Sequence, residues 1–454
     1  VHDTDLFWQV SFGRLMLATG GPVVAEPFYP DAEGRPIVPI YGLTQLADAV
    51  CLRVGGWPML KIVDAVVWAL AFTLPAIAAS RRFGRPSTAA MLVGFFAASA
   101  FYMTRPQSYA MLGFGALIAV LLSEWKTTTK VMTGAAILVL WQNFHPSAIV
   151  GGLLLAGPVA MGWLVRFRAD GPSPWAETLL LAVVPVAMLA TPAGTGVFDL
   201  MSINTDRVEL FGVNEWLPIY HPSNRGVNLR SVVGLLLFAG ALVWSFAGHV
   251  SNVPGQDGTF QTCPAQTLTW AFVAIGFAAM TIVSHRFVVF FGIVVIPFGT
   301  RLRRPQAEVR LPWPATSIVL ALALIAARWG IATERLPIFN AWFPLAAVDR
   351  LVDENLEGPV FTTTEWGGLI SYRGFPTLRP LMDGRYFART RPECEQYWAD
   401  VHGRTSIDAI VARHRPVAFL LTPDYPALIP MLERHPDWRL LHADDHATVF
   451  VRRR

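Results

Sequence analysis

The sequence predicts an α-helical multi-pass membrane protein of about ten spans, followed by a C-terminal α/β domain. Three observations lead there. Of 454 residues, 53% are hydrophobic and only 15% charged, where a soluble domain carries roughly 25% charged residues. From Trp57 onward, apolar runs follow one another at about the 17–25 residues that a bilayer crossing needs. After about Pro337 these runs give way to short segments that alternate between strand and helix patterns. The composition excludes a disordered chain, and the three scattered cysteines (Cys51, Cys263, Cys394) fit no zinc or redox spacing. The formal charge of +4 is spread in short clusters between apolar runs, whereas a nucleic-acid binder would gather it on one face.

The expected spans are Trp57–Ala79, Thr88–Thr104, Ser108–Ser123, Val131–Asn143, Ala148–Val165, Thr178–Thr191, Ser231–Ala247, Thr267–Val283, Phe287–Gly299 and Trp313–Ala332. Pro158, Pro185 and Pro297 fall inside them, which packed membrane helices tolerate. Arg81, Arg82 and Arg85 follow the first span, Lys126 and Lys130 the third, Arg166 and Arg168 the fifth, and Arg301, Arg303, Arg304 and Arg310 the ninth. By the positive-inside rule these loops are cytoplasmic. Residues 1–56, the turns at Arg105, His145 and Arg286, the 194–230 loop and the region after residue 335 are then external. An external start beginning Val-His-Asp-Thr-Asp implies an apolar helix upstream in the natural chain.

The division expected is therefore an external N-terminal segment (1–56), a membrane domain (57–335) and an external α/β domain (336–454). In the last, helices are expected at Ala346–Asn355, Trp366–Tyr372, Thr405–His414 and Tyr425–Arg434. Strands are expected at Val360–Thr363, Val417–Leu421, Trp438–His442 and Thr448–Val451.

Polar exceptions gather on the face this topology makes external. Asp3 and Asp5 open the chain, then come Phe7-Trp8, Gly13-Arg14 and Glu26-Pro27-Phe28. Two carboxylates so close can divide labour, one taking a proton while the other orients it or holds a divalent ion. A solvated loop with a helix cap gives the same pattern. Arg105, Asn143, His145, Glu215 and Arg286 sit beside apolar runs. A charge at that depth costs roughly 2.5–3.5 kcal/mol at mid-span and persists when paired or functional. Two arginines there suit a phosphate; singly they would snorkel toward headgroups. Lys61 and Asp64 read as a local ion pair. The C-terminal region adds Glu365-Trp366-Gly367-Gly368 and Asp383-Gly384-Arg385, whose glycines allow close backbone approach.

These motifs together resemble the GT-C glycosyltransferases, and more closely the multi-pass bacterial proteins of that type. The segment Asp3-Thr4-Asp5-Leu6-Phe7-Trp8 with Glu26-Pro27-Phe28 looks like the acidic first external loop of that superfamily. The resemblance implies a polyprenyl-phosphate-linked sugar as donor and an acidic residue of that loop, best matched by Asp3 with Asp5 beside it, as the base. It also implies the outer face of a prokaryotic inner membrane. Glu26, Arg105, Asn143, His145, Glu215, Arg286, Glu365, Trp366, Asp383 and Arg385 are the expected substrate-binding set. A divalent cation, Mg²⁺ or Mn²⁺, is compatible with the paired carboxylates without being required. Membrane lipid is a partner and nucleic acid is not. The rival classes are a lipid-linked saccharide transporter and a non-catalytic scaffold. A transporter places ionisable groups near the midplane, often in two related halves, and no internal repeat is visible here.

Overall fold

A computed structural model describes residues 4–99, 104–169, 171–207, 210, 214–222, 229–251, 265–302, 339, 342–423 and 426–453. The chain opens on a helix, α1 (Asp5–Thr19), where a loop had been expected around the acidic pair. Then α2 (Gly42–Phe83) runs through the first expected span, but it breaks at Gly55–Gly56, where both residues leave helical geometry. The break divides a rim portion from the portion that begins at Trp57.

Eight further helices follow the apolar runs: α3 (Thr88–Ala98), α4 (Gln107–Leu122), α5 (Thr127–Phe144), α6 (Ala148–Ala169), α7 (Trp175–Leu189), α9 (Leu229–Ser251), α10 (Ala265–Val283) and α11 (Val288–Leu302). Each matches an expected span, whereas α8 (Gly196–Arg207) lies in a segment read as loop. The tenth expected span, Trp313–Ala332, and the basic residues Arg303, Arg304 and Arg310 lie outside the described residues. Among the described residues, Gly42–Phe83, Ala148–Arg168 and His285–Leu302 are long and apolar enough to cross a membrane, and five shorter apolar helices accompany them.

Small residues let these helices approach closely. A Cβ on Gly94 of α3 would lie 1.9 Å from the Gly292 carbonyl oxygen of α11, and one on Gly115 of α4 would lie 2.2 Å from the Ala71 carbonyl of α2. Around these crossings Phe72, Phe114, Trp141, Phe290 and Phe291 form one apolar core.

The C-terminal domain contains α12 (Leu345–Asp353), β1 (Gly358–Thr362), α13 (Thr364–Gly374), β2 (Leu378–Pro380), α14 (Arg391–Val401), α15 (Ile407–His414), β3 (Ala418–Leu421), α16 (Ile429–Glu433), β4 (Trp438–Ala443) and β5 (Thr448–Arg452). Its sheet has the order β2-β1-β3-β5-β4, parallel across β2-β1-β3 and antiparallel across β3-β5-β4. The N-terminal helix belongs to this domain's core: Leu6, Phe7 and Val10 pack with Phe343, Val360, Trp366 and Ile370. The paired glycines of α13 make that contact. A Cβ on Gly368 would sit 3.2 Å from the Thr4 carbonyl and the Trp8 amide, and one on Gly367 would sit 1.9 Å from the Met382 carbonyl.

Candidate active site

Asp5, in the first turn of α1, has its Oδ1 hydrogen-bonded by the Trp8 indole N–H at 3.0 Å. A Cβ at position 384 would lie 2.0 Å from that same oxygen, so only glycine lets the carboxylate rest against this turn. Asp3 lies outside the described residues.

From the membrane helices come two guanidinium groups that share one carboxylate. Arg105, just ahead of α4, donates to Glu215 Oε2 at 2.6 Å, and Arg286 stands 3.6 Å from Glu215 Oε1. The Arg286 guanidinium also lies over the Trp216 ring, 4.5 Å from its centroid. Burial pushes the Glu215 carboxyl up, but Arg105 and Arg286 outweigh it and hold the group below the usual carboxylate range.

Two tyrosines absent from the expected set join Asp5 to this cluster. Burial pushes the Tyr41 hydroxyl up to about 12, and Asp5, Arg286 and Glu215 all act on it electrostatically. Burial likewise raises the Tyr386 hydroxyl, which feels the same three charges. Both phenols therefore stay protonated as donors. Tyr41 holds a left-handed backbone (φ 59°), strain of a kind that clusters at functional sites. No apolar or charge pattern marks either tyrosine. The Tyr41-Gly42 pair at the head of α2 was the available signal. His145 is buried, its ring centroid 5.4 Å from that of Tyr41, and its Nδ1 shares a hydrogen bond with Ser147 Oγ at 2.7 Å. Burial, and then Arg286, pull its imidazole down to about 3, so it is neutral.

Beside this cluster opens an apolar cavity of about 130 Å³, whose walls include Trp8, Phe12, Ile40, Leu43, Asn143 and Phe387. Asn143 donates to the Val139 and Ala190 carbonyls, tying α5 to the end of α7.

Three residues of the expected binding set form a buried ion cluster. Glu26, Asp383 and Arg385 are 0–2% exposed and spend their hydrogen bonds on one another. Arg385 reaches Glu26 at 2.6 and 3.2 Å and Asp383 at 2.9–3.1 Å, while the Tyr29 hydroxyl donates to Asp383 at 2.5 Å. The rings of Phe12, Phe28 and Tyr29 surround the guanidinium. Arg389 with Asp31 (2.6 Å), Arg35 with Glu393 (2.9 Å) and Arg379 with Glu33 (2.9 Å) extend the clamp. Glu26, Asp383 and Arg385 thus join the N-terminal segment to the C-terminal domain, with Arg385 also on the wall of the apolar cavity. Trp366 is also fully buried, against Trp342. Lys61 and Asp64 meet through Thr104, which accepts from Lys61 at 3.2 Å and donates to Asp64 at 3.3 Å. Among the described residues, no three His, Cys, Asp or Glu side chains gather as a metal site.

The architecture matches that of ArnT from Cupriavidus metallidurans, solved bound to undecaprenyl phosphate. The TM-score is 0.52 at 16% identity, over 98% of this chain and 93% of that one. The chain has the GT-C fold. The arabinofuranosyltransferase AftD from Mycobacteria aligns with a TM-score of 0.48 at 13% identity, over 98% of this chain and 37% of that longer protein. No protein-family model and no curated protein matches this sequence. In this fold, Arg105 before α4 and Arg286 before α11 meet on Glu215, and Asp5 at the start of α1 acts on the same buried Tyr41 as Arg286 and Glu215 do.

Proposed function

We propose that this chain transfers a glycosyl group from a polyprenyl-phosphate-linked donor to an acceptor hydroxyl at the outer face of a prokaryotic membrane, with inversion. The observation that carries the reading is the Arg105–Glu215–Arg286 cluster, which acts together with Asp5 on the same two buried tyrosines beside an apolar cavity. The undecaprenyl phosphate bound by the ArnT neighbour supports a donor of this class.

The chemistry follows from the charges. Asp5, or Asp3 two residues earlier, takes the acceptor's hydroxyl proton as its oxygen attacks the anomeric carbon. The bond from that carbon to the phosphate oxygen breaks on the opposite face, and negative charge grows on the leaving lipid phosphate. Arg286 and Arg105 meet that charge in a site poor in water, where hydrogen bonds act strongly. Ionised Glu215 positions both guanidinium groups, and Tyr41 and Tyr386 supply protonated hydroxyls. The apolar cavity suits the first isoprene units of the donor.

The test uses the full chain in lipid nanodiscs with a set of polyprenyl-phosphate sugars. Asp5→Asn keeps size and hydrogen bonding but takes no proton, and should lower transfer by about 10²–10⁴ while donor binding survives. Arg286→Ala should weaken donor binding as well, because a phosphate contact acts already in the ground state. Full turnover in both Asp5→Asn and Asp3→Asn would overturn the carboxylate base. Failure of every such donor to bind the intact chain would overturn glycosyl transfer itself.

A further inference from the structure

A second groove lies away from the catalytic cluster, between α1 and the rim portion of α2. It has a volume of about 380 Å³ and is lined by Arg14, Leu17 and Ala18 from one helix and by Ala49, Leu52 and Arg53 from the other. Each set has the spacing i, i+3, i+4, so each is a single helix face. The helices are held together just beneath the groove, where a Cβ on Gly13 would lie 1.9 Å from the Gln45 carbonyl and 2.8 Å from Ala49 Cβ.

The groove is basic at its edges and apolar elsewhere. No carboxylate lines it. Arg14 lies over the Tyr372 ring, 4.2 Å from the centroid, and donates to the Tyr372 carbonyl at 3.4 Å. Among the described residues, neither Arg14 nor Arg53 forms an ion pair. Two cations facing one cavity without a counter-charge repel each other, and a single anion between them removes that repulsion. Leu17 on the groove wall, and Val50 and Val54 beside Ala49 and Arg53 in the α2 sequence, are 38%, 41% and 70% exposed. Arg53 stands two residues before the Gly55–Gly56 break, where the rim portion gives way to the membrane-crossing apolar run. Exposed aliphatic side chains around an arginine pair at that depth have the pattern of an interfacial surface.

The geometry points to a structural site for an anionic phospholipid, whose phosphate sits between Arg14 and Arg53 while its acyl chains lie over Leu17, Val50 and Val54. A soluble phosphate shares the headgroup chemistry but leaves the aliphatic rim uncovered. Binding would fix α1 against α2, and α1 carries Asp5 at its other end.

The experiment uses the full chain in nanodiscs of phosphatidylcholine alone or of phosphatidylcholine mixed with phosphatidylglycerol. Retained lipid is counted by native mass spectrometry, and stability is followed by thermal melting. Phosphatidylglycerol should be retained selectively and should raise Tm. R14Q/R53Q should cut that retention by roughly tenfold, since each basic residue near an anionic surface contributes modestly. Arg53→Lys should keep most of it. Arg53→Gln alone changes an exposed side chain, so it keeps the test open if the double variant fails to fold. Equal retention by wild type and Arg53→Gln would overturn the site. A Tm rise from inorganic phosphate in phosphatidylcholine, with none added by phosphatidylglycerol, would overturn the lipid assignment.

Discussion

Arg385 is the residue on which the rim depends. Its guanidinium is surrounded by aromatic rings and holds two carboxylates that are almost wholly out of water. Burial alone would lower its pKa, but Asp383 and Glu26 hold it well above the ordinary arginine value. Arg385→Met leaves both carboxylates buried and unpaired, a loss of about 3–5 kcal/mol, to be read as a fall in Tm in detergent. Glu393 behaves differently because it is partly exposed. The Arg35 hydrogen bond outweighs burial and, with the Thr390 backbone and hydroxyl, brings its carboxyl from 4.5 to about 2. The folded pKa lies below the unfolded one, so this stabilisation is complete above pH 4.5 and is lost as the pH falls towards 2. A melting series over that window should show a decline that Glu393→Gln flattens. The sequence shows Arg105, Glu215 and Arg286 because a charge beside an apolar run is conspicuous. It does not show that Glu26 closes on Arg385, since a partner 359 positions away leaves no mark in local spacing.

At the scale of elements, the helix crossings are set by missing side chains. Gly94→Ala drives a methyl group into the Gly292 carbonyl across the α3–α11 contact and should cost about 1–3 kcal/mol. Gly240→Ala, with nothing within 4 Å of the new atom, should melt like the wild type and serves as the control. The membrane helices were legible because their length and apolarity are imposed by the bilayer. Four other elements were not. Helix α1 was hidden by its acidic opening, which suits a loop equally well. Helix α8 mixes polar and apolar residues, β2 has only three residues, and α14 is too polar to stand out. For α14 a usable signal existed: Thr390 and Glu393 form a capping box, a pattern that marks a helix start. The four strands read from the sequence all lie in the observed sheet, and β1, β3 and β5 are buried in continuous runs, as strands covered on both faces are.

For the molecule as a whole, the topology decides which side of the membrane the site faces. In a cysteine-free background, single cysteines at Glu33 and Arg404 should react with an impermeant thiol reagent from the same side, and one at Arg301 from the opposite side. Labelling of positions 33 and 301 from one side would remove the outward-facing site. The clamp that joins residues 26–35 to residues 379–393 also orders events in time. Asp5 is made 379 residues before Gly384, the turn it rests against. The acidic segment must therefore wait, its share of the core exposed, until the helices between it and the C-terminal domain have been made. A chain broken off before Phe343 would keep the helices that precede it but never close its rim. Such a product carries Leu6, Phe7 and Val10 uncovered, an apolar flag that proteases can recognise before any faulty chemistry begins.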